Sequence, residues 1–182
     1  MAHSVFLTFD DGPHPQVTPY VLDLLKQYDC KATFFCVGEN IEKYPETFEQ
    51  ILKEGHLVGN HGYQHLNGWK TSLKRYFSNA LEAQKIYPFK LFRPPYGKIG
   101  LRQYLKLQKT YQIIFWNILS YDFKPNLNIE LQLKKLKKRT KPKSIIVFHD
   151  SLKAEQQLKQ MLPAYLEYLK SVGLTSRELT KL

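Results

Sequence analysis

The sequence predicts an α/β fold, a parallel sheet whose strands alternate with crossover helices. Short apolar or β-branched runs alternate with amphipathic segments along the whole 182-residue chain. Apolar residues make up 43% and charged residues 24%, the balance of a globular protein with a real core. Every chemically suggestive cluster follows a predicted strand. The carboxyl ends of the strands share one face in a parallel β/α barrel, and that face carries the site.

The elements follow in order. Ser4–Asp10 reads as the first strand, and Val17, Val21, Leu22, Leu24 and Leu25 recur at helical spacing. Ala32–Val37 is the second strand and Pro45–Glu54 a helix opened by proline. Leu57–Asn60 is the third strand, followed by a helix over Leu73–Lys85. Leu91–Arg93 and the helix Leu101–Lys109 come next, then a single strand over Gln112–Ile118. A helix over Ile129–Thr140, a strand over Ser144–Phe148 and a helix over Leu158–Val172 complete the alternation. A weak strand is expected near Arg177–Leu179. No repeat, low-complexity tract or linker divides the chain, so one domain over residues 1–182 is expected.

The net charge is +11, and much of it lies in the run from Lys134 to Lys143. Such runs bind anionic polymers or form the solvated face of a helix, and the helical spacing favours the solvated face. Zinc-finger spacing, a ribonucleoprotein-type aromatic motif and a Gly-rich phosphate loop are all missing, so no nucleic-acid partner is expected. No run reaches the length of a membrane span, and no basic segment leads into an apolar one at the start. Cys30 and Cys36 flank the second strand, too far apart across extended chain to bridge, and read as free buried thiols.

Asp10 and Asp11 end the first strand and Gly12-Pro13 turns the chain behind them. Adjacent acids repel unless they share a cation or a proton. Alone, the pair reads equally well as a strand end with a solvated turn. His61 and His65 lie at i and i+4, which on one helical turn brings both rings to the same side. Two histidines and an aspartate form a ligand set with open positions, suited to catalytic zinc or a similar divalent ion. Further strand-end clusters are Arg93–Gly97, Tyr121-Asp122 and His149-Asp150. Of the other histidines, His3 reads as terminal, His14 as a loop residue and His56 as structural.

With these residues in place, the chain resembles the NodB-like polysaccharide deacetylases, carbohydrate esterase family 4, from about residue 4 to 170. Thr8-Phe9-Asp10-Asp11-Gly12-Pro13 matches the family's first motif, and Arg93-Pro94-Pro95-Tyr96-Gly97 its third. His61 to His65 resembles the second motif, Tyr121-Asp122-Phe123 the fourth and Val147-Phe148-His149 the fifth. The resemblance implies a distorted, incomplete (β/α)7-type barrel and metal-dependent removal of N-acetyl groups from a glycan such as peptidoglycan or chitin-like oligomers. It implies Asp11, His61 and His65 as ligands of one divalent ion, Zn2+ first, with Co2+, Ni2+ and Fe2+ also compatible. It implies Asp10 as general base, Arg93 as its partner, the Tyr96 N–H as oxyanion donor, and His149 as general acid held by Asp122. Pro95, Tyr96, Trp116, Phe123 and Phe148 are the expected substrate contacts, Trp116 reading also as a core aromatic and Phe148 as narrowing the acetyl pocket. Family substrates point to the cell envelope or beyond it, and a monomer is the expected state.

Gly62 departs from the usual Ser or Thr, and the missing hydroxyl is expected to loosen the metal loop. Leu119 stands where an acid often begins the fourth motif, Phe123 stands for Trp, and Phe148 for Leu. None of these removes a ligand, base or acid, so catalysis is expected to persist. Two other readings keep the same residues: an O-acetyl esterase on acetylxylan-type polymers, and a glycan-binding homologue without turnover.

Overall fold

The computed structural model describes residues 3–179. Its strands are β1 (Ser4–Asp10), β2 (Ala32–Cys36), β3 (Leu57–Asn60), β4 (Leu91–Phe92), β5 (Gln112–Ile113), β6 (Ile118–Leu119), β7 (Ile145–His149) and β8 (Thr175–Ser176). Its α-helices are α1 (Val17–Gln27), α2 (Gly38–Lys43), α3 (Pro45–Lys53), α4 (Leu73–Ile86), α5 (Leu101–Leu107), α6 (Ile129–Arg139) and α7 (Glu155–Ser171). The strands pair in parallel in the order β5-β4-β3-β2-β1-β7-β6, with β8 beside β1. The expected incomplete barrel is what this order builds.

β1 is an interior strand that pairs with β2, β7 and β8, and all seven of its residues are buried. Its alternation sorts side chains between two cores. Phe9 points to the helix layer, where it stacks on Phe34 at 5.1 Å and Phe148 at 6.2 Å between ring centroids. Val21, Leu22 and Leu25 of α1 and Leu158, Leu162 and Leu166 of α7 close over that layer. Phe6 faces the barrel interior with Phe35, Leu91, Ile114 and Leu179. Each such side chain contributes about 1.5–3 kcal/mol on burial. Local signals start the helices: the Ser72 hydroxyl accepts the Arg75 N–H ahead of α4, and Asn128 accepts the Leu131 N–H ahead of α6.

The register fixes the site. Asp10 pairs with His149 and with Phe35, Cys36 with Asn60, and Asn60 with Phe92. One step further, the His61 N–H donates to Cys36 O at 2.9 Å and the Arg93 N–H to Asn60 O at 3.0 Å. Asp10, His61, Arg93 and His149 therefore arrive together at the carboxyl rim.

The expected single strand over Gln112–Ile118 is instead two, and they lie at opposite edges of the sheet. The Ile114 N–H still bonds to Phe92 O beside β4, while the Asn117 N–H already bonds to Ile145 O beside β7. Residues 114–117 cross the gap that the incomplete barrel leaves, so an apolar run of strand composition bridges two edges. The last strand lies at Thr175–Ser176 rather than 177–179. There the Ser176 hydroxyl accepts the Leu7 N–H and donates to Lys31 O, which anchors the pair without apolar side chains. α2 is too short to leave a periodic signal, and α7 begins at Glu155, before the first apolar position. The basic run is the outward face of α6 and the loop after it: Lys134, Lys135, Lys138 and Arg139 are exposed while Leu136 is buried. Cys30 and Cys36 are free and buried.

Candidate active site

A cavity of about 280 Å³ opens at the carboxyl rim, walled by Asp10, Asp11, His61, His65, Trp116 and His149 among others. Asp11 leaves β1 with φ 78°, so the chain turns there and the two acids diverge. Asp11 Oδ1 lies 3.1 Å from His65 Nε2 and 3.7 Å from His61 Nε2. One ligand atom each from Asp11, His61 and His65 fall within 4.8 Å of one another.

The tautomer of His61 suits a metal ligand. Its Nδ1–H donates to Arg93 O at 2.8 Å, which leaves the Nε2 lone pair facing Asp11. Burial pushes this imidazole down to about 4, with the neighbouring His65 acting in the same direction and the aspartates against it, so the ring is neutral near pH 7. Burial opposes ionisation of Asp11, but the His65 hydrogen bond and the His149, His61 and His65 charges outweigh it and hold the carboxyl well below the usual range. Two imidazole nitrogens and a carboxylate oxygen, clustered with open space in front, fit one divalent ion.

The expected helical turn over His61–His65 is not there. The segment is a loop, with φ 78° at Gly62 and 52° at His65, and it still brings the imidazoles to 4.9 Å between centroids. Asn79 of α4 holds it, its Oδ1 accepting the Tyr63 N–H at 3.0 Å and the Gln64 N–H at 3.3 Å. A Cβ at Gly62 would sit 2.9 Å from that Oδ1. A side chain at Gly62 would be strained by its φ and would crowd Asn79, and the loop is fastened from α4 by the Asn79 contacts. Sequence reasoning missed Asn79 because it lies far along the chain and carries no motif.

Asp10 is held from the opposite side. The fully buried Arg93 donates from Nη1 to Asp10 Oδ1 and to Thr8 Oγ1, each at 2.7 Å. The guanidinium lies 4.0 Å over the Phe35 ring and 5.7 Å from Trp116. With Oδ1 engaged, Asp10 Oδ2 faces the histidines, 3.9 Å from His61 Nε2. His149 sits on the other wall. Its Nδ1–H donates to Asp122 Oδ1 at 2.7 Å and its backbone N–H to Asp122 Oδ2 at 2.8 Å. Asp122 is fully buried and also accepts the Ser120 hydroxyl at 2.6 Å.

Asp150, the residue after His149, was not among the expected site residues. It is buried beneath the Asp10-Asp11 turn, accepting the Gly12 N–H at 3.1 Å and the Thr18 hydroxyl at 2.6 Å. A Cβ on Gly12 would lie 2.0 Å from Asp150 Oδ2, so only glycine lets the turn rest on this carboxyl. Burial pushes Asp150 up to about 8, with the charges of Asp11 and Asp10 adding to it against its hydrogen bonds. Its signal in the sequence was its place beside His149 at a strand end.

Trp116, Tyr96 and Phe123 line the cavity. Tyr96 is 60% exposed, with φ 60°, and its ring lies 4.5 Å from that of His65. Phe123 packs edge-on to His149 at 4.9 Å. Phe148 does not line it. Strand alternation turns Phe148 to the helix layer against Phe9 and Tyr165, and Val147 takes the cavity wall. Pro95 is likewise buried and outside the cavity wall, next to Gly62. His14 and His56 stay outside the cavity, and His56 Nδ1 accepts the Ala32 N–H at 3.2 Å in a structural role.

Residues 1–113 match the family model described as polysaccharide deacetylase. A peptidoglycan-N-acetylglucosamine deacetylase of Bacillus cereus is 42% identical over 128 residues, 66% of this chain and 46% of the relative, so the match spans about half of that protein. A second enzyme of that name and organism is 34% identical over 180 residues, 93% of this chain and 83% of the relative. The crystal structure of the Bc1960 peptidoglycan N-acetylglucosamine deacetylase superposes with a TM-score of 0.89 at 33% identity, covering 97% of this chain and 86% of that one. With the sheet, the rim and the motifs in agreement, this chain belongs to the polysaccharide deacetylase family.

Proposed function

We propose that this chain is a metal-dependent hydrolase that removes N-acetyl groups from an amino-sugar glycan, peptidoglycan foremost. The observation that carries this reading is the placement of two separately held proton carriers, Arg93-bound Asp10 and Asp122-bound His149, around one Asp11–His61–His65 set. The names of the similar enzymes support the glycan class, and a peptidoglycan substrate would be met at the cell envelope.

Asp11, His61 and His65 would hold the ion, with Zn2+ the best fit to two nitrogens and one oxygen. Such an ion supplies Lewis-acid polarisation and lowers the pKa of water to about 7. Asp10 accepts the proton of the attacking water at Oδ2, the oxygen that Arg93 leaves free. The Tyr96 N–H donates to the oxyanion, a contact worth about 2.7–4 kcal/mol. His149, with Nδ1 engaged by Asp122, delivers a proton from Nε2 to the departing nitrogen.

An amine leaves poorly unless protonated, whereas an alkoxide from an ester needs less help. The Asp122 grip that keeps His149 charged therefore favours amide over ester hydrolysis. The test is acetate release from peptidoglycan, chito-oligosaccharide and acetylxylan in parallel. Faster release from the amino-sugar glycans supports the proposal. Release from acetylxylan alone makes this an O-acetyl esterase, and glycan affinity without acetate makes it a silent binder.

A further inference from the structure

Two lysines at the cavity have no part in the chemistry above. Lys98 follows β4 and Lys153 follows β7, and both line the cavity that contains Asp10 and His149. Each ammonium lies by an aromatic ring: Lys98 Nζ is 5.2 Å from the Trp69 centroid, and Lys153 Nζ is 5.4 Å from that of Phe123. Among the described residues, neither forms a salt bridge. Lys124 Nζ, 4.4 Å from the Tyr121 centroid, adds a third cation after β6.

Trp69 is 70% exposed and nevertheless fixed. Its Nε1–H donates to Ile99 O at 3.3 Å and its backbone N–H to Asn67 Oδ1 at 3.0 Å. The Gly68 N–H bonds to Lys98 O, and a Cβ at Gly68 would lie 2.4 Å from that oxygen. The buried Gln103 ties the two segments, donating to Gly68 O and Thr71 O and accepting the Gly100 N–H. An indole held in this way presents a rigid apolar face at little entropic cost, which is what a sugar ring needs.

We propose that Lys98 and Lys153, with the Trp69 face beside Lys98, select an acetylated amino-sugar glycan that carries carboxylates. The inference rests on the deacetylase reading and narrows its substrate. The acids of the centre have cations of their own, Asp10 in Arg93 and Asp122 in His149, which leaves Lys98 and Lys153 as the cavity's unpaired charges. Cations at the mouth attract an anionic polymer as it approaches. A neutral chitin-like chain gains nothing from unpaired ammoniums. A carboxylate gains charge-assisted hydrogen bonds from them. The carboxylate has two possible sources in peptidoglycan, the lactyl ether on the sugar and the acids of the peptide stem.

The experiment measures kcat/KM for acetate release on chito-oligosaccharides, on peptide-free peptidoglycan strands with free lactyl carboxylates, and on peptide-bearing strands. The parent, Lys98→Ala, Lys153→Ala and Trp69→Ala are compared. Each lysine substitution is expected to lower the ratio of anionic to neutral kcat/KM about fivefold, the size of one exposed ion pair of about 1 kcal/mol. Added salt is expected to lower the parent's ratio in the same direction. A drop confined to one anionic glycan identifies the carboxylate's source. Ratios that stay fixed in both lysine variants, or a parent that prefers the neutral oligomer, overturn the inference while leaving the deacetylase reading in place. Absence of acetate from all three glycans overturns that reading itself, and this one with it.

Discussion

Asp122 grips His149 at two points, through the imidazole Nδ1–H and through the backbone N–H, so the ring's position and its charge have the same source. Burial works against the charged ring, but the Asp122 charge and hydrogen bond, with the more distant Asp11 and Asp10, raise its pKa to about 9. A general acid acts only while protonated. The kcat/KM profile is therefore expected to fall as pH rises through about 9. Asp122→Asn keeps the shape and removes the charge, and the alkaline limb is expected to move down by about 1–3 pH units. A limb that stays in place separates Asp122 from the acid. The same raised pKa stabilises the fold fully below about 6.5, and that contribution is lost as pH rises through about 9.

Gly62 supplies a test of how the metal loop is built. Restoring the serine that the family favours adds a Cβ at φ 78°, 2.9 Å from Asn79 Oδ1. Gly62→Ser is expected to cost about 1–2 kcal/mol of stability, the usual penalty of a left-handed L-residue. Urea unfolding measures it. A gain in stability would show that the loop relaxes into another backbone path and that Asn79 is not its anchor.

Asp150 predicts a pH dependence of stability of the same sign as His149, in a lower window. Its pKa is raised to about 8, so between about 4 and 8 the folded chain holds a proton that the unfolded chain has released. Stability contributed by this group therefore falls as pH rises across that window. Asp150→Asn fixes the neutral form, with an amide N–H to meet Thr18 and an oxygen for the Gly12 N–H. With a chelator present, the urea midpoint of the variant relative to the parent is expected to rise from pH 5 to pH 8. A constant difference would mean that Asp150 is ionised throughout.

Much of the site was legible because a parallel barrel gathers the carboxyl ends of its strands. Asp10, His61, Arg93 and His149 each end or follow a strand, and register alone brings them together. The residues that sequence reasoning missed act across the chain. Asn79 reaches from α4 to the His61–His65 loop, and Asp150 reaches under the turn at Gly12. Neither contact has a local signal. Gln112–Ile118 has strand composition, yet the composition does not reveal that its halves bond to opposite edges of the sheet. Phe148 was misplaced for a simpler reason: motif position named the residue, while strand alternation decided its side.

The division of labour between Asp10 and Asp11 is the centre of this account, and metal content measured alongside acetate release tests it most directly. Asp10→Asn is expected to retain the metal and lose on the order of 10²–10⁴-fold in kcat. Asp11→Ala is expected to lose the metal, because one of three protein ligands is gone. An Asp10→Asn protein as active as the parent, or an Asp11→Ala protein that binds metal as tightly, would contradict it.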